Sequence, residues 1–205
     1  MPLGDLLVRA AKDYPAYLEA GKRESTRQDP NPGSSVDKDS PTYRLITEQL
    51  PHELQEIIGE RRPYKILGST GKGNATPAPW VAILDPAVTK STQSGYYVVY
   101  QFAVQQLRVY ATLAQGVTEF SQTHGKNRRM LGELERVAGK LAEKLEPDER
   151  FIVGPIKLNA TSPTSLHGMY QSSNIAAIEY DLTHVPEDTV LASDLHALLD
   201  LYDRL

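Results

Sequence analysis

The 205-residue sequence contains no cysteine, and it has no apolar run of about 18 residues, the length that a membrane-spanning helix needs. The first absence excludes a disulfide scaffold, a thiolate-bound zinc or iron–sulfur site and a cysteine nucleophile. Residues 1–5 also lack the basic region and apolar stretch of a secretory signal. We therefore expect a cytoplasmic protein with no membrane partner.

The signatures of common catalytic sites are missing as well. No Gly-x-Ser-x-Gly elbow is present, and the glycine-rich stretch 68–74 departs from a Walker loop because Lys72 is followed by Gly73 and then by prolines. The histidines have no paired metal-ligand spacing; they are His52, His124, His167, His184 and His196. We expect a chain without catalytic residues, metal or other cofactor. An enzyme acting on nucleotides or nucleic acid stays an alternative.

The formal net charge is −4, which taken alone argues against nucleic-acid binding. The charge is uneven, however, because residues 61–120 hold six basic against two acidic residues. A local basic face can bind a polyanion even when the net charge is negative. A chance excess is the other interpretation. The basic residues of this segment are Arg61, Arg62, Lys65, Lys72, Lys90 and Arg108.

The hydrophobic periodicity predicts an α+β fold with a curved, mostly antiparallel, barrel-like sheet flanked by helices. We expect one domain over 1–205, with N-terminal helices in 1–60, a mobile loop at 21–42, a sheet core at 61–120 and C-terminal strands and a helix in 151–205. Helices are predicted at 3–18, 43–59 (divided at Pro51), 127–145 and 189–205. Strands are predicted at 64–67, 79–84, 95–102, 107–113, 151–153 and 156–158, and 175–180 reads as a strand or short helix.

Aromatic residues are interleaved with the basic ones in this predicted sheet core. They are Tyr64, Trp80, Tyr96, Tyr97, Tyr100 and Tyr110. Aromatic side chains next to Lys and Arg suit stacking on bases and contacts to phosphates, but they also suit an ordinary sheet core. By strand alternation about half of them must point inward.

An ordered series of positions in this region resembles the MrcB-like N-terminal domain family. The series is Gly71, Gly73, Asn74, Pro79, Trp80, Asp85, Thr89, Ser91, Gly95, Tyr97, Tyr100, Phe102, Tyr110, Gln115 and Gly116. The resemblance implies a DNA-reading module of a modification-dependent, type IV-like restriction system, placed ahead of a motor or nuclease domain. By analogy it also implies a sheet of the PUA or SRA type that takes a flipped base into an aromatic pocket.

These observations together predict a non-catalytic module that reads double-stranded DNA carrying a modification. Trp80, Tyr96 and Tyr97 are the candidates for stacking, although a core tryptophan is also typical of such an apolar run. Asn74, Ser91 and Gln93 are the candidates for base edges, and Lys65, Lys72, Lys90 and Arg108 for phosphates. We expect segment 86–97 to read the base and loop 68–77 to grip the backbone.

A protein–protein adaptor of the same defence complex is the second hypothesis. In that case the acidic segment 151–205 and its closing helix of leucine and tyrosine residues form the interface.

Overall fold

The structure is a computed structural model that describes residues 1–23, 33–158 and 160–205. Five antiparallel strands form one sheet in the order β1-β2-β3-β4-β5, so each strand pairs with its neighbour in sequence. The strands are β1 Lys65–Lys72, β2 Asn74–Leu84, β3 Tyr96–Ala103, β4 Arg108–Gln115 and β5 Asn174–Asp181. The predicted α+β class and curved antiparallel sheet are confirmed, but the sheet stays open between its edges β1 and β5 and is not a barrel.

Helices flank this sheet on both sides. They are α1 Leu3–Ala20, α2 Pro41–Arg44, α3 Leu50–Ile58, α4 Val117–His124, α5 Arg128–Leu145, α6 Leu166–Ser172 and α7 Asp188–Tyr202. The helices predicted at the two ends of the chain and at 127–145 are confirmed. Helices α4 and α6 were not predicted, because eight and seven residues are too few to establish a 3.6-residue pattern.

The second predicted helix is divided, but by a π turn at Leu45–Gln49 rather than by a break at Pro51. Pro51 lies in the first turn of α3, where proline is tolerated. The π turn packs directly on β1. A Cβ atom at Gly68 would lie 1.8 Å from the carbonyl oxygen of Ile46, so only glycine allows this close approach.

The main core lies on one face of the sheet, against α1, α3 and α7. Leu195 and Leu198 of α7 are fully buried there, as are Val98 and Phe102 of β3. The leucine and tyrosine face of the closing helix is therefore used within the fold. The adaptor hypothesis needs that same face as an interface.

The strands predicted at 151–153 and 156–158 are wrong. This segment makes a single bridge to β5, between Ile152 and Ala177. Gly154 adopts a positive φ of 94°, and Pro155 has no N–H to donate to a ladder, so pairing cannot continue. Ile156 and Leu158 are nonetheless buried, against the sheet face opposite the main core.

The predicted mobile loop at 21–42 lies partly outside the described residues. Its described part at 33–42 is tied to the sheet, since Val36 N–H donates to the Gly73 carbonyl at 3.0 Å and Ala75 N–H to the Ser34 carbonyl at 2.7 Å. In the described part of the chain, no helix has the length and apolar content that a membrane crossing requires.

Candidate nucleic-acid interface

A cleft of about 510 Å³ opens over β1 and β2 on the sheet face opposite the main core. Its floor is formed by these two strands and includes Trp80. One wall is the loop at 90–93 together with Thr118 of α4, and the other is Leu166 and Tyr170 of α6. The volume lies within the range of about 300–1,000 Å³ that small-ligand sites occupy.

The cleft brings together six of the ten residues that the sequence predicts for DNA binding. These are Lys65, Lys72, Trp80, Lys90, Ser91 and Gln93. The other four, Asn74, Tyr96, Tyr97 and Arg108, lie outside its lining. The two predicted segments at 68–77 and 86–97 thus meet at one site although the sheet does not close.

The glycine-rich segment 68–74 is a strand hairpin, so its prediction as a loop is wrong. β1 continues to Lys72, Gly73 makes the turn with a φ of 75°, and β2 begins at Asn74. A Cβ atom at Gly71 would lie 2.1 Å from the Asn74 carbonyl oxygen, so the tight return requires glycine there. The hairpin is anchored to α1 because the Tyr14 hydroxyl donates to the Thr76 carbonyl at 2.7 Å.

The loop at 86–95 is held by its own hydrogen bonds before any ligand binds. Asp85 accepts a hydrogen bond from Ala87 N–H at 2.8 Å and so caps the turn that begins this loop. The buried Thr89 hydroxyl lies 2.9 Å from the Ser94 carbonyl, to which it donates. Lys90, Ser91 and Gln93 are therefore presented to the cleft by a preorganised loop, which lowers the entropy cost of binding.

Tyr97 lies beneath this loop rather than in the cleft. Its side chain is 2 % exposed, and its hydroxyl donates to the Thr92 carbonyl at 3.0 Å. Burial raises the pKa of this phenol, so it stays a neutral donor. Tyr96, on the opposite side of β3, packs against the main core and lines a separate hollow with Phe120 and His124.

The unpaired positive charge of segment 61–120 is concentrated at the cleft. Lys65, Lys72 and Lys90 are exposed, and none of them has an ion-pair partner among the residues that the structure describes. The cleft lining contains no carboxylate from those residues either. Within the described part of the chain, three lysines therefore lie around Trp80 with no acidic residue in the same lining.

The three arginines of that segment are compensated. Arg61 pairs with Asp200 and Asp203, each at 2.6 Å. Arg62 pairs with Asp85 at 2.8 Å, and Arg108 pairs with Glu179 at the far end of the sheet. Asn74, at the hairpin turn, accepts a hydrogen bond from Arg23 at 3.0 Å.

Gln101 is a residue near the cleft that sequence reasoning missed. It is directly opposite Trp80 in the β2–β3 register, so both side chains project from the same face of the sheet. Its side chain is 5 % exposed, and among the described residues its Oε1 has no hydrogen-bond donor. A glutamine within an apolar strand carries no sequence signal that separates this position from an ordinary one.

His167 connects the α6 wall of the site to its floor. Its Nε2 lies 2.9 Å from the Thr76 hydroxyl of β2, and the neighbouring Leu166 and Tyr170 line the cleft. Burial lowers the pKa of His167. Over the described ranges, no group of three or more metal-ligating side chains comes together.

Comparison with protein-family models matches residues 30–205 to the family described as MrcB-like, N-terminal domain. A search of curated proteins found no match. The matched range includes every residue of the cleft lining, whereas α1 lies outside it.

Proposed function

The chain belongs to the MrcB-like N-terminal domain family, and from this premise we propose that it is the DNA-reading module of a modification-dependent restriction system. The family membership supports a McrB-type, restriction-related role. The finer proposal is that this module is non-catalytic, acts in the cytoplasm on double-stranded DNA with a modified base, and passes recognition to a downstream motor or nuclease domain.

The observation that carries the proposal is the cleft with three uncompensated lysines around one partly exposed tryptophan. Lysines at such a rim supply sequence-independent affinity for phosphates, which falls steeply with salt. An aromatic floor offers a stacking surface to any base. The two features together favour a nucleic acid over an apolar small molecule.

We propose that one base leaves the duplex and enters this cleft. Extrusion costs a few kcal/mol. Stacking on Trp80 offsets about 1–3 kcal/mol of this cost, and hydrogen bonds to the base edge offset a further part. Ser91 and Gln93 are the proposed edge contacts at the rim. Gln101 adds a buried acceptor beside Trp80 that a donor on the base can satisfy.

The remaining predicted residues receive other roles in this proposal. Tyr97 supports the loop at 86–95 from below, because it is buried and bonded to Thr92. Tyr96 faces the main core, and Asn74 marks the hairpin end, where it meets the DNA backbone. Arg108 has no proposed phosphate contact, since Glu179 neutralises it.

The test is a binding panel of one short duplex that carries a methylated, hydroxymethylated, glucosylated or phosphorothioate modification, or none. We expect one modification to bind at least about tenfold more tightly than the unmodified duplex. No binding tighter than ~100 μM at low salt, the weak end of non-specific affinity, would contradict the proposal.

Charge variants locate the binding on the protein. Lys72→Ala should weaken all duplexes about equally and reduce the salt slope by roughly one unit, since it removes one phosphate contact. Lys12→Ala is the matched control, because Lys12 is also exposed but lies on α1, which covers the opposite face of the sheet. An equal loss in both variants would place the DNA elsewhere.

A further inference from the structure

A second group of cations lies at the N-terminal end of α5, in residues 126–129. Lys126, Arg128 and Arg129 are all exposed, and none forms an ion pair within the described part of the chain. The first turn of α5 contains no acidic residue. We call residues 126–129 the basic turn.

The net charge of residues 121–150 does not reveal this group, because the segment holds seven basic and six acidic residues. The two acids of α5 that lie nearest this turn are engaged elsewhere. Glu133 pairs with Arg136, and Glu135 accepts a hydrogen bond from Ser172 at 2.7 Å. The exposed Glu119 of α4 is the nearest carboxylate on the connecting helix. The basic turn therefore keeps a local positive charge within a nearly neutral segment.

Helix α4 connects the basic turn to the cleft. At its start, Thr118 lines the cleft and the Glu119 N–H donates to the Gln93 carbonyl at 3.1 Å. The helix has eight residues and is thus about 12 Å long, and the basic turn follows its end directly. Phe120 of α4 packs against a buried cluster that includes Met130, Leu131 and Leu134 of α5, so the two helices share one apolar core.

The location of these cations opposes helix stability. Positive side chains in the first turn face the positive end of the α5 dipole, so each is unfavourable to the folded state. Asn127 caps the helix, since its side chain accepts from Met130 N–H at 2.9 Å. The cations add to the positive potential of the helix end, and an anion bound there would relieve their repulsion.

We propose that the basic turn is a second contact for the phosphate backbone of the duplex whose base occupies the cleft. This inference rests on the proposed function. Phosphates of one strand advance about 3.4 Å per base pair along the axis, so ~12 Å corresponds to three or four base pairs. The partner is therefore a duplex that extends beyond the extruded base, not a single nucleotide.

The test compares a triple variant, Lys126→Gln with Arg128→Gln and Arg129→Gln, with a control of equal charge change, Lys12→Gln with Lys140→Gln and Lys144→Gln. The control lysines are exposed and have no ion-pair partner among the described residues. Binding of a 16-base-pair duplex with the preferred modification is measured from low to high salt. In parallel, a trinucleotide with the same modified base is titrated.

We expect the triple variant to lower the salt slope for the duplex by about two to three units, since each lost phosphate contact removes about 0.9. Its affinity for the trinucleotide, and its preference for modified over unmodified duplex, should stay within twofold of the parent. The control variant should match the parent in all three measurements.

An unchanged salt slope in the triple variant, with duplex binding retained, would contradict the proposed phosphate contact at the basic turn. It would not contradict the proposed binding of a base in the cleft. An equal loss of trinucleotide binding would contradict the phosphate contact too, because the residues would then act inside the cleft. If the parent chain binds none of the duplexes, both proposals fail. Thermal unfolding should show that the triple variant is at least as stable as the parent. If the triple variant is less stable, the single variants Arg128→Gln and Arg129→Gln replace it, and each should lower the salt slope of duplex binding by about one unit.

Discussion

At the scale of single residues, Trp80 shows what strand alternation can and cannot predict. The sequence around it is apolar, so a core position and a stacking position were both open. Val81 is fully buried in the main core, whereas Trp80, one residue earlier, lies on the other face and is partly exposed. Alternation separates the two faces. It cannot tell which face is open, because the covering residues of α6 come about 90 positions later in the chain.

Gln101→Leu tests whether a buried glutamine is retained for binding. Removing an acceptor without a partner should leave the free energy of unfolding unchanged or raise it by about 1 kcal/mol. The same variant should reduce the preference for modified DNA, since the base loses its buried acceptor. Urea denaturation and the duplex panel measure the two effects.

Tyr100→Phe is the matched control for that substitution. The Tyr100 hydroxyl also has no hydrogen-bond partner among the described residues, but it lies in the main core on the other face of β3. Removal of the Tyr100 hydroxyl should change the free energy of unfolding as Gln101→Leu does. It should leave the preference for modified over unmodified DNA unchanged. Equal binding by both variants and the parent would remove Gln101 from the site.

At the scale of elements, long periodic segments were predictable and short or tightly turned ones were not. The strand at 95–102 and the helix at 127–145 carry enough residues to establish their period, and the structure confirms both. The strands predicted at 64–67 and 79–84 correspond to the outer parts of β1 and β2. The inner part of that hairpin, α4 and α6 lack such a pattern, although they form much of the cleft. Their geometry depends on close backbone contacts, such as that of Gly71 with Asn74, that only the folded chain reveals.

Gly116→Ala should disturb the loop at 86–95. An added Cβ would lie 2.4 Å from the backbone of Ser94, which must then move. We expect a loss of about 1–3 kcal/mol in unfolding free energy and weaker preference for modified DNA, because Ser91 and Gln93 shift with the loop. Thermal unfolding and the duplex panel report these changes.

Gly132→Ala provides the comparison for Gly116→Ala. Gly132 lies in α5 with open space where a Cβ would point, so alanine should stabilise the helix by up to about 1 kcal/mol. DNA binding should not change. A Gly116→Ala protein as stable and as selective as Gly132→Ala would show that the loop does not need its present position.

The contact between α6 and β2 should weaken as the pH falls. Burial lowers the pKa of His167 below its ordinary 6.5, so the unfolded chain takes up this proton first. Neutral His167 therefore makes its full contribution to the stability of the fold above about pH 6.5, and this contribution is lost as the pH falls below that value. Urea midpoints between pH 8 and pH 5 should therefore fall more in the parent than in His167→Gln. Parallel curves for the two proteins would rule out this role for His167.

At the scale of the whole molecule, charge pairing decides which cations remain available. The net charge is −4, and the arginines near the start of β1 are neutralised by Asp200 and Asp203 at the end of the chain. Counting charges along the sequence located the basic segment. It could not separate the three paired arginines from the three lysines that have no ion-pair partner among the described residues, since those pairs join distant positions. The resulting molecule is acidic overall and positive at the cleft and the basic turn.

The most direct test of the central claim uses the single tryptophan of the chain, Trp80, as a reporter of the cleft. Its fluorescence is followed while the preferred modified duplex is added, and then with a duplex that lacks the base at the modified position. We expect the modified duplex to change Trp80 emission in proportion to binding, because the base stacks on the indole. The abasic duplex should bind more weakly and change the emission little. Saturating binding of the modified duplex with unaltered Trp80 emission would contradict the central claim.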